Sequence, residues 1–281
     1  MYNKDYFHVR KVAEGIYHIW EKPGVACTLV TGRESALLID TGYGFADIRA
    51  TVENLTVLPY RILNTHCHVD HAGGNFRFDQ DIMIHPFERE VYDLYQREAK
   101  PDIIRKYQKD CEEGNYPWPD TLNLGEYLEY KPCTFRMLND GEKIFLGGRC
   151  LDVIFLPGHT RGSVVVFDEK TGILIAGDTI SDSLWIQFPQ SEHILKFARY
   201  LEKLKKYSIT GILSSHSRRI CDPKLIDKLK EAIEHIDCNQ SRVFIHPRTG
   251  VKSSLFQYPV DDLDGISKIY IVFDAKQLAD G

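Results

Sequence analysis

Between Thr65 and Gly74 the chain reads Thr-His-Cys-His-Val-Asp-His-Ala-Gly-Gly, which crowds three imidazoles and a carboxylate into the stretch His66–His71. Such density is costly to satisfy with hydrogen bonds alone, whereas a transition-metal ion takes imidazole nitrogen and carboxylate oxygen together as ligands. If the segment leaves a strand, side chains alternate with period two, so His66 and His68 point the same way and reach one ion while Cys67 turns away. Past the following turn, Asp70 and His71 can serve a second ion. Gly73 and Gly74 let the backbone fold tightly around the pair.

Three further candidates share one placement. His159, in Pro157-Gly158-His159-Thr160, follows the apolar run Cys150–Leu156; Asp178, in Gly177-Asp178-Thr179, follows Ile173–Ala176; His216 follows Gly211–Ser215. Any one of these alone is the kind of residue that caps or turns a chain end. Three in succession at strand termini, downstream of a histidine-rich segment, read as one site.

Elements that could position these groups are visible as short alternating or apolar runs between turn signals. Strands are expected at Gly15–Lys22, Val25–Thr31 and Ser35–Asp40, broken at Pro23-Gly24 and Gly32-Arg33. Helical spacing over Phe45–Leu55 precedes a strand at Tyr60–Thr65 that feeds the histidines. A strand at Ile82–His85 leads into a charged helical stretch from about Pro86 to Lys109, and residues 101–128 read as an irregular or partly helical insertion. Strands return at Thr134–Leu138, Lys143–Phe145, Cys150–Leu156, Ser163–Phe167 and Ile173–Ala176. The last two are joined as a hairpin. A helix over Ser191–Tyr207, a strand at Gly211–Ser215 and a helix over Pro223–Ile236 follow, with a C-terminal extension at about 240–281. The recurrence of strands, helix and strand in both halves favours an α/β sandwich, with two sheets face to face and helices outside, in a single domain over 1–281.

Composition narrows the partners. A net charge of -5 and a pI near 6.1 give no reason to expect a polyanion, so nucleic acid is disfavoured. No apolar run approaches the roughly 20 residues of a membrane span, and the N-terminal residues have no apolar core of a secretory signal. Seven scattered cysteines, never spaced as C-x-x-C, suit free thiols in a reducing cytoplasm.

The pattern His-x-His-x-Asp-His, then Gly-His, then Gly-Asp, then His resembles that of the metallo-β-lactamase superfamily over about residues 15–220. The resemblance implies the family's four-layer αββα sandwich of two mixed sheets. It also implies a dinuclear centre in which His66, His68 and His159 bind one metal, Asp70, His71 and His216 the other, and Asp178 bridges both. The carboxylate at 178 resembles the glyoxalase II, lactonase and RNase Z branches, since true β-lactamases usually carry cysteine there; His68 departs from the flavodiiron pattern, which generally has glutamate. Asp40, in Leu-Leu-Ile-Asp-Thr-Gly, matches the family's strand-ending aspartate, which orients a ligand imidazole. An Asx turn beside Gly42 is the plainer alternative.

Two divalent transition metals, Zn²⁺ or else Fe or Mn given all-N/O donors, would lower the pKa of a shared water from 15.7 toward about 7 and supply hydroxide for attack on a carbonyl. Asp70 and Asp178 would position it. Stretches at Asn75–Asp79, Pro157–Ser163 and Trp185–Ser191 are similar to metallo-β-lactamase-domain acyl-CoA thioesterases, which points to a small-molecule thioester, ester or lactone as substrate. A phosphodiesterase of the same fold and a non-catalytic ligand-binding relative are the rivals. Trp118, Trp185 and Phe188 could line an acyl pocket, or serve as lid packing or a homo-oligomer contact. Arg218, Arg219, Arg242, His246, Arg248 and Lys252 could meet a substrate phosphate or carboxylate, or be scattered surface charge.

Overall fold

The computed structural model describes residues 6–246 and 250–279. The chain divides into two compact units, Met1–Leu151 and Asp152–Gly281.

The first unit opens with β1 (Phe7–Ala13), β2 (Ile16–Glu21), β3 (Val25–Thr31) and β4 (Ala36–Ile39), an antiparallel meander. The expected second, third and fourth of these are present with boundaries moved by a residue or so. β1 was not anticipated, because Arg10 and Lys11 are consecutive and both exposed, which interrupts the alternation expected of a strand. Helix α1 (Ile48–Leu55) starts where the Asp47 carboxylate accepts the Ala50 N–H at 3.0 Å, and buries Ile48, Thr51 and Val52. The helix begins three residues later than its apolar spacing suggests, since Asp47, at φ -81° and ψ 89°, is the capping residue outside the helix.

Then come β5 (Tyr60–Leu63), a short helix α2 (Val69–Ala72), β6 (Ile82–Ile84), helices α3 (Glu88–Leu94), α4 (Lys100–Glu112) and α5 (Leu124–Leu128), and strands β7 (Phe135–Met137) and β8 (Lys143–Phe145). Strands β4, β5, β6 and β7 run parallel and complete the order β1-β2-β3-β4-β5-β6-β7. The stretch read as an irregular insertion is helical through Glu112, irregular over 113–123, and helical again in α5. A core of Ile19, Leu29, Leu38, Phe45, Ile62, Ile82 and Tyr127, all buried, holds the sheet.

The second unit contains all but the first two residues of β9 (Cys150–Phe155), then β10 (Val164–Asp168), β11 (Ile173–Gly177), β12 (Ser183–Ile186), helix α6 (Ile194–Tyr200), β13 (Gly211–Ser214), helix α7 (Leu225–Glu234), β14 (Arg242–Ile245), β15 (Lys252–Leu263), β16 (Ile266–Phe273) and α8 (Lys276–Ala279). One sheet runs β13-β11-β10-β9, with β11 and β13 parallel; a second runs β12-β16-β15-β14. The expected helix over Ser191–Tyr207 is α6 followed by a 3₁₀ segment, Leu201–Lys206. The C-terminal extension supplies β14, β15 and β16 of this second sheet, the last two a hairpin of long strands whose cross-strand register was invisible as sequence.

Candidate metal centre

Parallel register brings chemistry to the strand ends. In the first unit Ile39 pairs with Leu63, and Asp40 N–H donates to Leu63 C=O at 2.8 Å, so Asp40 leaves the sheet beside Asn64 and Thr65. In the second unit Gly177 pairs with Ser214, and Ser215 N–H donates to Gly177 C=O at 3.0 Å, so Asp178 and His216 emerge side by side. Ligands of open α/β sheets collect at the carboxyl ends of parallel strands.

The histidine segment is not itself a strand end. β5 stops at Leu63, and residues 65–68 form a loop into α2. A loop, and not the period-two alternation expected of a strand end, therefore aims His66 and His68. Their rings nonetheless lie 4.7 Å apart, and one ligand atom of each falls within 4.8 Å of the other. The same loop buries Cys67, whose thiol is pushed well up by desolvation and whose N–H donates to the buried Glu88 carboxylate at 2.7 Å. Asp70 and His71 likewise converge, with His71 Nε2 4.0 Å from Asp70 Oδ2. Gly73 and Gly74 are required by space, because a Cβ would stand 2.3 Å from Tyr43 O in one case and 2.4 Å from Thr41 O in the other.

Which nitrogen each imidazole presents follows from its neighbours. Asp40, held at φ 63°, accepts from His71 Nδ1 at 2.8 Å, from Thr65 N–H at 2.7 Å and from Thr65 Oγ1 at 2.8 Å. A carboxylate can only accept, so His71 carries its proton on Nδ1 and turns Nε2 toward Asp70. Thr65 spends its hydroxyl proton on Asp40, so His66 Nδ1, at 3.3 Å, is the donor to Thr65 Oγ1. In the second unit His159 Nδ1 donates to Trp185 C=O at 2.6 Å, and Nε2 faces Asp178 Oδ2 at 3.7 Å. His216 Nε2 lies 3.2 Å from the same Asp178 oxygen. These acceptors fix tautomer and plane as partners of metal-binding histidines do, and a donor set of imidazole and carboxylate with no thiolate fits divalent zinc, iron or manganese.

Several orienting groups escaped the sequence reading. Asn64, Asn75 and Thr41 form a buried chain, with Asn75 Nδ2 donating to Asn64 Oδ1, Thr41 Oγ1 to Asn75 Oδ1, and Asn64 Nδ2 to His71 C=O. Tyr95 stacks on His68, ring centroids 4.5 Å apart. The available signal was the pair of asparagines flanking the histidines. Burial also pushes Glu21, which accepts from Tyr43 N–H at 2.8 Å, up to about 8, and depresses Lys100 to about 7.

The proposed acyl-contact residues are placed as follows. Phe188 meets the His159 ring edge-on at 5.4 Å, and Trp185 packs on Phe244 at 5.2 Å and His246 at 5.3 Å. Trp118, 38% exposed, stacks on Tyr107 at 5.9 Å. Of the C-terminal basic set, His246 is buried in this aromatic cluster, Arg242 and Lys252 are exposed, Arg219 donates to Asp264 C=O, and Arg248 lies outside the described residues.

Residues 21–208 match the family model of the metallo-beta-lactamase superfamily, a match that runs through both units. The chain therefore belongs to the metallo-beta-lactamase superfamily and is an enzyme of its metal-dependent hydrolase class. Acyl-coenzyme A thioesterase MBLAC2 of Bos taurus is 27% identical over 235 residues, 75% of this chain and 81% of the relative. Hydroxyacylglutathione hydrolase of a Synechococcus strain is 31% identical over 119 residues, 42% of this chain and 34% of that protein. Among solved structures, a metallo-beta-lactamase from Pontibacter korlensis aligns with a TM-score of 0.57 at 17% identity, covering 82% of this chain and 100% of its own. These likenesses establish the metallo-β-lactamase fold. No helix among the described residues is long and apolar enough to cross a membrane.

Proposed function

We propose that the chain works as one metallo-β-lactamase-like domain that hydrolyses small-molecule thioesters or related esters, acyl-coenzyme A among them, at two divalent metals, zinc by preference. His66, His68 and His159 would hold one ion and Asp70, His71 and His216 the other, with Asp178 contributing its carboxylate to both. The observation that carries the reading is the set of acceptors that commits Nδ1–H of His66, His71 and His159 to hydrogen bonds and leaves the lone pair of each Nε2 available to a metal. When bound, the metals supply Lewis acidity and an activated water.

The chain's own groups do the rest. Asp40 keeps His71 in one tautomer; the Trp185 carbonyl does so for His159. Asp70 and Asp178, whose carboxylates lie 4.0 Å from His71 Nε2 and 3.7 Å from His159 Nε2, would position the attacking water and pass its proton onward. Phe188, Trp185 and Trp118 supply apolar surface for an acyl chain and exclude water from it. The thiols of all seven cysteines fit a cytoplasmic setting.

Elemental analysis of purified chain, together with rates on a panel of acyl thioesters, lactones and bis-p-nitrophenyl phosphate, tests the proposal. Two ions per chain and turnover of thioesters are expected, with His66→Ala, His68→Ala and Asp178→Ala losing metal while remaining folded. Fewer than one ion per chain after metal-supplemented expression, or turnover of the phosphodiester alone, overturns it.

A further inference from the structure

The helical segment after β6 changes its winding once. Between α3 and α4 the five residues Tyr95–Ala99 form a π-helical turn, closed by Lys100 N–H donating to Tyr95 C=O. An α-helix advances about 100° per residue, which would leave residues five apart about 140° apart around the axis. The wider turn stacks them on one face instead. Such turns are rare and recur at functional sites.

The inward contacts of this turn fall on the loop that carries the histidines, on its immediate continuation and on α5. Tyr95 lies over the His68 imidazole with 30° between ring planes. Gln96, buried, donates to Ala72 C=O at 3.5 Å. Lys100, 2% exposed, places its ammonium 4.8 Å from the Phe76 ring and 4.2 Å from that of Tyr127. Of the three, Tyr95 alone touches a side chain assigned to a metal.

We infer that Tyr95 is a positioning residue for His68, fixing the plane of its imidazole, and that the π-turn exists to deliver it. His71 and His159 are oriented by hydrogen bonds to an aspartate and a carbonyl, and His66 by Thr65; the His68 ring meets His66 edge-on at 4.7 Å and stacks on the face of Tyr95 at 4.5 Å. Half-buried Tyr95 leaves the imidazole little room to rotate about its Cβ–Cγ bond. The inference rests on the assignment of His68 as a ligand.

The test compares Tyr95→Phe, which keeps the ring face, with Tyr95→Leu, which fills similar space without it. In metal-free protein labelled at histidine, the His68 ring resonances, assigned with His68→Ala, are expected to show an upfield ring-current shift in wild type and Tyr95→Phe and to lose it in Tyr95→Leu. Chelator competition is expected to show about tenfold or greater loss of affinity for one of two ions in Tyr95→Leu. Tyr95→Phe should match wild type. Unchanged His68 resonances in Tyr95→Leu, or equal metal affinity in all three proteins, overturns the inference while leaving the metal centre standing. A wild-type chain that takes up no metal overturns the ligand assignment itself, and the inference with it.

Discussion

Replacing Asp40 with Asn isolates the orienting role of one carboxylate. Asp40 sits at φ 63°, a left-handed conformation that asparagine tolerates as well as aspartate does, so the backbone is not asked to move. The three donors around it remain, but an amide offers one oxygen and one NH₂. If the oxygen keeps the Thr65 N–H at 2.7 Å, the NH₂ group faces Thr65 Oγ1 and His71 Nδ1, each 2.8 Å from Oδ2, and can only donate. His71 must then accept at Nδ1 and carry its proton on Nε2, where a metal needs the lone pair.

Loss of such a partner costs about 10- to 100-fold in metal affinity, or about 1.4–2.8 kcal/mol at 1.4 kcal/mol per tenfold. The metal-free fold loses in addition about 1.5–3 kcal/mol for a hydrogen bond to a charged group, which lowers the melting temperature by several degrees. Competition with a chromophoric chelator reads the first quantity, thermal unfolding of metal-free protein the second, and ¹⁵N shifts of labelled histidine the tautomer. Asp40→Asn that binds both ions as wild type does, with His71 still protonated at Nδ1, would refute the reasoning.

Gly158→Ala puts a methyl 2.6 Å from the buried Phe197 ring and is expected to destabilise by about 1–3 kcal/mol and to shift His159, checked by thermal unfolding and metal content. Glu21 ionises ordinarily near 4.5 but near 8 in the fold, so its contribution to stability is present below pH 4.5 and is lost as the pH rises toward 8. In metal-free protein Glu21→Gln should remove that loss and be more stable than wild type at pH 8, by a few kcal/mol, and not at pH 4; identical curves would show that Glu21 ionises normally. Each acyl methylene buried is worth roughly 0.8 kcal/mol, or about fourfold in kcat/KM, so wild type should grade its thioester substrates by chain length and Trp185→Ala, Phe188→Ala and Trp118→Ala should flatten the gradient with metal content unchanged.

Much of the fold was legible because the inner strands are short, apolar and bounded by Gly or Pro: Val25–Thr31 was read to the residue, and Ile173–Gly177 to within one. Helix Leu225–Glu234 announced itself by spacing. Strands β1, β12, β14, β15 and β16 were not legible. β1, β14, β15 and β16 mix charge with apolar groups and β12 is only four residues long, so that only pairing across the sheet, such as Ser183 with Tyr270 and Ser254 with Phe273, makes strands of the last four. The π-turn was equally silent, since Tyr95–Ala99 carries no proline or glycine to mark a change of winding.

The candidate site divides along the same physical line. Side chains able to ligate a metal come from a short list of residue types, here His and Asp, and those letters stand out whether or not a strand continues to them, which is why His66 and His68 could be singled out although the end of β5 was misplaced. Groups that orient those donors face a weaker demand: any acceptor at the right point will do. Asp40 serves His71 with a side chain, Thr65 serves His66 with a hydroxyl already spent on Asp40, and Trp185 serves His159 with a backbone carbonyl that every residue possesses. Substituting the Trp185 side chain therefore leaves the hydrogen bond to His159 in place, and that separation is what allows the acyl-length experiment to read the indole without disturbing the metal.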